Sequence, residues 1–546
     1  MKSISKQISF ALILCLFSSI SVTAQNQKHP KLIVLLTIDQ LRYDYISKYW
    51  ARYGDGGFKK LVSEGFYQAN THFSYMPTFT GVGHATLGTG TTPAIHGIAA
   101  NNWYDRVSKK KMYCVSDEEV NTIGSKSDAG KYSPKNLRSS TFAEQLKMAN
   151  SASKTIGIAI KDRGAILPVG HFTDGAYWFD SDEAKFITSS FYRSELPKWA
   201  NEFNQLNLPK KYLDQDWNTL YPIETYTVST ADDVPFEKAY KGEEKPVFPH
   251  KTKELSKANG LGMVKNTPYG NTFTVEFAKK AIIGEDLGKD KFTDFLSISF
   301  SSTDYIGHQF GPHSIEIEDT YLRLDQDLAN LIQFLETQVG QNEFLIVLTS
   351  DHGAADIPAH VNGSAQYFKN EELKKELEEY SELLYQVNLI EAIANEQVYI
   401  DYEQLNANNL DFSEVKSSFM EFLKLTEGIV VVSDPANNWC IGEKTICERI
   451  ANGYHSKRSG DLFFVIEPGW LGSYNEKGGT THGSPFSYDT HVPLIWYGFN
   501  TKAGIDYTLT SIKDIAPTLS TLLGISSPNG ATGMPISNFL NSRATR

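Results

Sequence analysis

Three acidic residues each follow a short, continuous apolar segment of the chain. Asp39 comes directly after LIVLLTI. Asp304 follows FLSISF and three small polar residues, and Asp351 follows FLIVL and two small polar residues. Such segments, rich in β-branched residues, are typical of fully buried parallel strands. Ligands of open α/β sheets bind at the carboxyl ends of the strands. Three carboxylates there would repel one another unless a cation lay between them.

Three histidines complete a set of metal ligands. His308 stands four residues after the second acid, and His352 directly follows the third. His482 lies in GGTTHGSPF, where glycines let the backbone turn inward. Carboxylate oxygen with imidazole nitrogen is the ligand set of catalytic zinc, and manganese and iron also accept it. His491, directly before an apolar segment, is the alternative to His482.

A hydroxyl group at the start of a predicted helix is the candidate nucleophile. Thr80 stands in MPTFTGVGH, just before Gly81 and Gly83. At a helix N-terminus a hydroxyl faces unsatisfied N–H groups and the positive end of the dipole, which both favour an anion. A metal would still be needed to lower its pKa. Thr78 is the local alternative, and the segment alone also fits an ordinary capped turn.

The elements around these residues predict a doubly wound, mostly parallel α/β sheet. Apolar residues recur at helical spacing from Glu316 to Leu335, and a charged amphipathic helix is expected from Leu373 to Ile390. A further strand, Val492–Trp496, precedes a helix around Asp514–Leu523. Strands that alternate with helices indicate this fold class.

The first 24 residues have the pattern of a secretory signal peptide. Lys2 and Lys6 precede a short apolar run, and Val22-Thr23-Ala24 is a small-residue cleavage site. The run is too short to span a bilayer. We therefore expect a periplasmic or secreted protein with one catalytic domain over residues 25–546. Insertions at about 172–275 and 360–475 are expected to cap the carboxyl edge of its sheet.

Composition and cysteine content agree with an exported globular protein. The 546 residues are 41% hydrophobic and 21% charged, with a net charge of −12. That balance is typical of a soluble fold and argues against binding of nucleic acid backbone. Cys440 and Cys447 are close enough to form a disulfide in an oxidising compartment, and Cys114 is left single.

The ordered set of residues resembles the alkaline phosphatase superfamily. The nearest match is its threonine-nucleophile branch, which includes nucleotide pyrophosphatase/phosphodiesterases and PafA-type bacterial alkaline phosphatases. The resemblance covers nearly the whole mature chain and includes TTPAIHGIAANNWYD, KDRGAILPVGHFTDGAYWFD and DIAPTLSTLLG. It implies two zinc ions about 4 Å apart. The ligand sets that it implies are Asp304, His308 and His482 for one ion, and Asp39, Asp351, His352 and the Thr80 oxygen for the other.

The same resemblance implies a mechanism. Thr80 would attack phosphorus and form a phospho-threonine intermediate, which water then hydrolyses. Asn101 would donate a hydrogen bond to a non-bridging phosphoryl oxygen. The enzyme would act on small phosphate esters as a monomer.

A Lys-x-Arg pair favours monoesters over diesters. A monoester dianion has one more charged oxygen than a diester, and cationic donors must stabilise it. Lys161 and Arg163, in IKDRGAI, are flanked by apolar residues and point the same way if the segment is extended. The matching residues of PafA-type enzymes contact phosphate, so the resemblance implies a phosphomonoesterase.

Alternative functions remain. The first is a phosphodiesterase or nucleotide pyrophosphatase of the same fold. The second is a secreted metal- or glycan-binding protein without turnover, whose Trp- and Tyr-rich insertions stack on sugars. A sulfatase is disfavoured because the chain lacks the C/S-x-P-x-R pattern.

Overall fold

The structure is a computed structural model, and it describes residues 29–361, 365–476 and 478–543. The predicted signal peptide, residues 1–24, lies outside the described residues. Within them, no helix has the length and apolar character needed to cross a membrane.

The strands alternate with helices along the chain, as the sequence predicts. In chain order the strands are β1 Leu32–Ile38, β2 Phe66–His72, β3 Asn102–Asp105, β4 Lys110–Tyr113, β5 Thr122–Ile123, β6 Thr155–Ala159, β7 Gly175–Asp180, β8 Lys185–Ser189, β9 Asp294–Phe300, β10 Phe344–Thr349, β11 Tyr367–Phe368, β12 Ile390–Ala394, β13 Gln397–Ile400, β14 Ile429–Asp434, β15 Trp439–Ile441, β16 Leu462–Ile466, β17 Leu471–Gly472, β18 His491–Gly498, β19 Gly504–Asp506 and β20 Thr510–Ser511.

The helices connect and flank these strands. They are α1 Tyr45–Lys48, α2 Phe58–Glu64, α3 Thr80–Thr89, α4 Pro93–His96, α5 Phe142–Ala149, α6 Asp162–Ile166, α7 Lys198–Gln205, α8 Leu208–Leu213, α9 Thr252–Asn259, α10 Tyr269–Gly284, α11 Ser302–Phe310, α12 Ile315–Gln338, α13 Asn370–Tyr385, α14 Tyr402–Ala407, α15 Phe412–Leu425, α16 Lys444–Gly453, α17 Ser487–Thr490, α18 Ile515–Leu523 and α19 Ser537–Ser542.

An 11-stranded sheet forms the centre of the described chain, in the order β19-β2-β18-β10-β1-β9-β6-β7-β8-β5, with β20 beside β2. The pairs that link β10, β1, β9, β6 and β7 are all parallel. Strand β18 runs antiparallel to both β10 and β2. The expected doubly wound, mostly parallel sheet is confirmed in its central strands, while its flanks contain antiparallel pairs at β18 and β8 and parallel pairs of β2 with β19 and β20.

Both faces of the central sheet are covered, which explains the unbroken apolar runs. Leu32, Val34 and Leu36 of β1 pack into one hydrophobic core, whereas Ile33 and Leu35 pack into a second core on the opposite face. Every residue of β1 is buried. Burial of each such side chain contributes roughly 1.5–3 kcal/mol to folding. Because no face is left to water, six of the seven residues of the strand are apolar and the one threonine, Thr37, is buried.

One helix boundary differs from the prediction. Helix α13 ends at Tyr385, and Gln386 adopts a left-handed conformation with φ 59°. Ile390 then begins β12 instead of closing the helix. The helical spacing of apolar residues continues past the end of the helix, and the turn that stops it uses a glutamine where glycine is usual.

A second sheet of five strands lies in the chain between β10 and β18. Its order is β12-β13-β16-β14-β15. A disulfide joins Cys440 on β15 to Cys447 on α16, as the sequence predicts, and Cys114 is a buried free thiol. Strand β12 and strand β13 form a hairpin whose two-residue turn is Asn395-Glu396.

A buried histidine carries charge inside the fold. His250 Nδ1 lies 2.7 Å from Glu243 Oε1, and its Nε2 lies 3.2 Å from Glu316 Oε1. Burial works against a charged imidazole, but hydrogen bonds to the two glutamates outweigh it and raise the pKa of His250 to about 9.

Candidate active site

The three predicted acids meet at the carboxyl edge of the central sheet. Strand β1 lies between β9 and β10, with Ile38 opposite Phe300 and Thr37 opposite Thr349. Asp39 directly follows β1, Asp304 lies in the first turn of α11, and Asp351 comes two residues after β10. The parallel register therefore brings the ends of the three strands side by side.

These acids and the predicted histidines form two clusters. Within each cluster, one ligand atom per residue lies within 4.8 Å of the others. The first cluster consists of Asp304, His308 and His482, and the second of Asp39, Asp351 and His352. The clusters adjoin, since the rings of His352 and His482 stack with centroids 3.4 Å apart.

The histidine rings are oriented for metal binding. The Nδ1 atoms of His308, His352 and His482 lie 2.8, 2.9 and 2.7 Å from the carbonyl oxygens of Thr480, Gly353 and Thr78. A backbone carbonyl accepts only from a protonated nitrogen, so each ring holds a proton on Nδ1 and has Nε2 available to a metal when the ring is neutral.

The carboxylates also fit a cation. Asp39 Oδ1 and Asp351 Oδ2 are buried, and no described group makes a hydrogen bond to either. Buried carboxylate oxygens without partners cost several kcal/mol in order of magnitude, which a divalent cation would offset. Three oxygens and three nitrogens from six side chains match the donor preference of zinc.

The electrostatics of the site follow from burial and crowding. Burial, reinforced by nearby acids, raises the pKa of Asp39 well above its usual range and that of Asp351 to about 7. Burial also lowers the pKa of His482 to about 3 and that of His352 well below normal. Asp304 is different: burial opposes its charge, but His308 and Lys161 hold its pKa well below normal. Neutral imidazoles are the form that binds metal.

Thr80 lies at the point where a nucleophile is needed. It is the first residue of α3, is 1% exposed, and its Oγ1 lies 3.3 Å from His352 Nε2 and 3.3 Å from Lys161 Nζ. The alternative Thr78 donates its hydroxyl to the carbonyl of Ser484 instead. Of the two threonines, only Thr80 therefore faces the cluster of His352.

His491, the alternative to His482, lies outside both clusters. Its ring stacks between Tyr43 and His72, with centroids 3.8 and 4.3 Å away. Its Nε2 lies 3.0 Å from the carbonyl oxygen of Ala69. The sequence favours His482 because its glycine-rich loop lets the ring turn inward, and the two clusters contain His482 and not His491.

Lys161 is a buried cation between the two clusters. Its Nζ lies 2.7 Å from Asp39 Oδ2 and 2.5 Å from Asp304 Oδ2, and 5.2 Å from the ring centre of Tyr305. Burial opposes its charge, but the two carboxylates outweigh it and raise the pKa of Lys161 above its usual value. The side chain is therefore a fixed positive charge beside the Thr80 hydroxyl.

The segment that contains Arg163 differs from the prediction in its backbone conformation. The segment is not extended: Lys161 caps α6, and Arg163 lies within this short helix. The terminal guanidinium nitrogen Nη1 lies 3.1 Å from the hydroxyl of Tyr113, which in turn donates to Asp162. A helical turn, and not strand alternation, lets the lysine and the arginine line one cavity together with Tyr305.

Asn101 supports the nucleophile helix directly. Its Oδ1 accepts a hydrogen bond of 2.7 Å from the backbone N–H of Gly81, which follows Thr80. The acceptor end of the amide is thereby used, so its NH₂ group remains as a donor next to Thr80.

Three residues that the sequence did not single out support the site. Gln40 Nε2 donates to Asp304 Oδ1 at 2.9 Å, and its backbone N–H reaches Asp351 Oδ1 at 3.3 Å. His84 lies with Nδ1 2.8 Å from the Thr80 carbonyl oxygen. Asp489 accepts hydrogen bonds from the backbone N–H groups of Gly483 and Ser484, the two residues that follow His482. Adjacency to Asp39 was the only signal for Gln40, and neither of the others had one.

Fold and site together define a metallohydrolase of the alkaline phosphatase superfamily. Residues 33–487 match the Type I phosphodiesterase / nucleotide pyrophosphatase family. The chain belongs to this family. A doubly wound sheet with a threonine and two carboxylate–imidazole clusters at its carboxyl edge is the arrangement that the sequence predicts.

Several characterised proteins are similar over nearly the full length. The chain is 43% identical to alkaline phosphatase PhoV of Synechococcus elongatus (95% of this chain, 94% of that one) and 43% identical to alkaline phosphatase PafA of Elizabethkingia meningoseptica (94% of each). It is also 44% identical to a protein of Myroides odoratus named calcium-transporting ATPase (96% of this chain, 97% of that one).

A solved structure of PafA superposes closely. It is 42% identical, with a TM-score of 0.91 over 94% of this chain and 99% of that one. Murine ectonucleotide pyrophosphatase / phosphodiesterase 5, at 15% identity and a TM-score of 0.51, shares the fold. The superfamily, the fold and the enzyme class predicted from the sequence are confirmed.

Proposed function

We propose that this enzyme hydrolyses phosphate monoesters with Thr80 as the nucleophile. In the first step Thr80 Oγ1 bonds to phosphorus, and the ester oxygen leaves as the alcohol after taking up a proton. In the second step a water oxygen bonds to phosphorus, the bond to Thr80 breaks, and the hydroxyl regains a proton. The products are inorganic phosphate and the alcohol, so atoms and protons balance.

The donor sets support two zinc ions, one held by each cluster. When bound, such ions lower the pKa of an attacking hydroxyl and stabilise charge on the attacking and leaving oxygens. Thr80 belongs with the cluster of Asp39, Asp351 and His352, because its hydroxyl lies 3.3 Å from His352 Nε2. The leaving oxygen then belongs beside His308 and His482.

The observation that carries the choice of a monoester is the buried cation beside the nucleophile. Lys161 is 3% exposed, and its Nζ is 3.3 Å from Thr80 Oγ1. Arg163 is held nearby by Tyr113, and Asn101 has its amide NH₂ ready to donate. Two fixed cations suit a phosphoryl group with two negative charges better than the single charge of a diester.

The comparisons support the same choice. Two of the similar proteins are named alkaline phosphatases. In a second solved structure, of a PafA mutant, one threonine, one asparagine, one lysine and one arginine are altered. These are the residue types of Thr80, Asn101, Lys161 and Arg163.

The test compares p-nitrophenyl phosphate with its methyl diester, which share a leaving group. For each of Lys161→Ala and Arg163→Ala, kcat/KM for the monoester should fall by about 10 to 10², and for the diester by far less, since charged hydrogen bonds contribute about 1.5–3 kcal/mol each. An equal loss on both substrates, or a faster wild-type rate on the diester, would favour a phosphodiesterase instead.

Lys265→Ala is the matched control. Its Nζ also lies 5.2 Å from the ring centre of Tyr305, but it bonds to Ser181 instead of approaching Thr80. The change removes one positive charge from the same aromatic ring without touching the nucleophile. The ratio of monoester to diester rates should therefore stay at its wild-type value.

We also propose export, a single catalytic domain over residues 25–546, and action as a monomer on small phosphate esters. The signal pattern of residues 1–24 and the disulfide between Cys440 and Cys447 support an oxidising compartment such as the periplasm. Fractionation of cells, N-terminal sequencing and light scattering of the purified protein test these points.

A further inference from the structure

A small cavity adjoins the site at His482. Its volume is about 50 Å³, and the His482 ring and Gly483 form part of its wall. Apolar and small residues line much of the rest, together with four aromatic side chains and two carboxylates. These six residues are Phe79, Trp470, Tyr474, Tyr488, Glu396 and Asp489. None of the described lining residues is a lysine or an arginine.

One of the two carboxylates is buried and half satisfied. Asp489 is 1% exposed, and its Oδ2 accepts the backbone N–H groups of Gly483 and Ser484 at 3.0 and 2.7 Å. No described group makes a hydrogen bond to its Oδ1. Burial raises the pKa of Asp489 to about 7, the direction expected for a carboxyl group taken out of water.

The second carboxylate is presented by a strained turn. Glu396 lies at the tip of the β12–β13 hairpin, where Asn395 and Glu396 both have positive φ, 54° and 56°. Such two-residue turns prefer glycine at the second position, because a side chain there is strained. Burial raises the pKa of Glu396 to about 7. A strained residue held at a cavity points to a function there.

The position of the cavity relates it to the leaving group. Thr80 lies beside His352, so the ester oxygen departs on the side of His308 and His482. The cavity shares the His482 wall, and Phe79, the residue before the nucleophile, packs edge-on against that ring at 5.7 Å. A leaving group of a few atoms therefore extends from the phosphorus past His482 toward the cavity.

We propose that this cavity binds the ammonium group of a phosphorylated amino alcohol, as a subsite for the leaving group. Aromatic faces and carboxylates together bind organic cations. A volume of about 50 Å³ accepts a few water-sized groups, each of which needs about 10–15 Å³. That is room for a nitrogen with three methyl groups and too little for a nucleoside. Hydrolysis breaks the P–O bond, and water supplies the oxygen kept by phosphate and the proton kept by the amino alcohol.

The inference rests on the proposed monoesterase activity. A neutral substrate of the same shape distinguishes binding of the cation from monoester hydrolysis itself. Choline phosphate and 3,3-dimethylbutyl phosphate have the same shape, but carbon replaces the charged nitrogen in the second. For the wild-type holoenzyme we expect kcat/KM to be about tenfold higher for choline phosphate, the size of a desolvated cation–π and charge contact. In Glu396→Gln the ratio should fall toward one.

A control variant and a second cavity variant distinguish a local effect at the cavity from a general loss of charge or of folding. Glu403→Gln removes a charge from an exposed glutamate that pairs with Lys109 away from the cavity, and it should keep the wild-type ratio. If Glu396→Gln does not fold, as judged by circular dichroism, Trp470→Leu removes one ring of the cavity and should lower the ratio in the same way.

A binding measurement covers the case in which turnover fails. Tryptophan fluorescence of the holoenzyme, titrated with tetramethylammonium, should saturate in the wild type and need about tenfold more cation in Glu396→Gln. Equal kcat/KM for the charged and neutral esters, or a ratio that Glu396→Gln leaves unchanged, overturns the subsite while monoester hydrolysis stands. If the enzyme hydrolyses neither of these esters and does not hydrolyse p-nitrophenyl phosphate, the proposed function is overturned. If tetramethylammonium then also shows no saturable binding, the subsite is overturned as well.

Discussion

A single methyl group on Gly83 should disable the enzyme although it favours the helix. Gly83 lies in α3, three residues after Thr80. In an isolated helix, alanine in place of glycine stabilises by about 1 kcal/mol. Here a Cβ at residue 83 would lie 2.3 Å from the carbonyl oxygen of Asp351 and 2.8 Å from its Cβ. Local helix physics and the packing of the site therefore predict opposite effects.

The packing effect should be the larger one. Cβ atoms essentially never approach other heavy atoms within 3.0 Å, so α3 and Asp351 must separate by at least about 0.7 Å. Overpacking of this kind costs about 1–3 kcal/mol, which exceeds the gain in helix propensity. Displacement of Thr80 from Asp351 by nearly 1 Å should lower kcat by about 10².

The assay for Gly83→Ala combines turnover, metal content and thermal unfolding. We expect kcat/KM for p-nitrophenyl phosphate to fall by about 10² and the midpoint of unfolding to fall by a few degrees. Gly504→Ala is the control, because its Cβ would meet Phe66 at an ordinary 3.4 Å. A Gly83→Ala enzyme with wild-type turnover, or with a higher midpoint of unfolding, would refute this account of how α3 and Asp351 fit together.

Three further predictions concern the nucleophile, its surroundings and the response to pH. Thr80→Ala should lower turnover by about 10³ or more while zinc content by elemental analysis stays near the wild-type value, whereas Asp351→Ala should lose both; full activity of Thr80→Ala would rule out this nucleophile. Gln40→Leu removes the hydrogen bond to Asp304 and should weaken zinc binding about 10- to 100-fold in a chelator competition, and an unchanged affinity would show that the contact is dispensable. The pKa of His250 is raised to about 9 from 6.5. Its ion pairs therefore stabilise the fold fully below pH 6.5, and this stability, of the order of 3 kcal/mol, is lost as the pH rises through 9. Denaturant unfolding from pH 6 to 10 should show that decline in the wild type and a flatter profile in His250→Gln.

The sequence predicts the centre of the fold well because its signals there are strong. Short apolar runs rich in β-branched residues, such as Leu32–Ile38, are typical of a strand buried on both faces, and the structure has such a strand at the same residues. Acids placed just after such strands must meet at one edge. The two ligand clusters follow from this rule together with the family resemblance.

The remaining parts depend on contacts that no local pattern records. Lys161 and Arg163 look like an extended pair in the sequence, but the structure places them at the start of α6. The helix that ends at Tyr385 stops because Gln386 turns left-handed, and no glycine announces this. Asp489 braces the loop of His482 through hydrogen bonds to Gly483 and Ser484. Its importance can be seen only when the chain has folded back on itself.

The spread of the ligand set along the chain has a consequence for the order of events during biosynthesis. The six ligand candidates extend from residue 39 to residue 482. A nascent chain that lacks its last hundred residues contains the half-site residues Asp39, Asp351 and His352, but it lacks His482 of the second half-site. Metal loading of the second half-site is therefore tied to chain completion, and the enzyme becomes active only after its C-terminal region has joined the sheet.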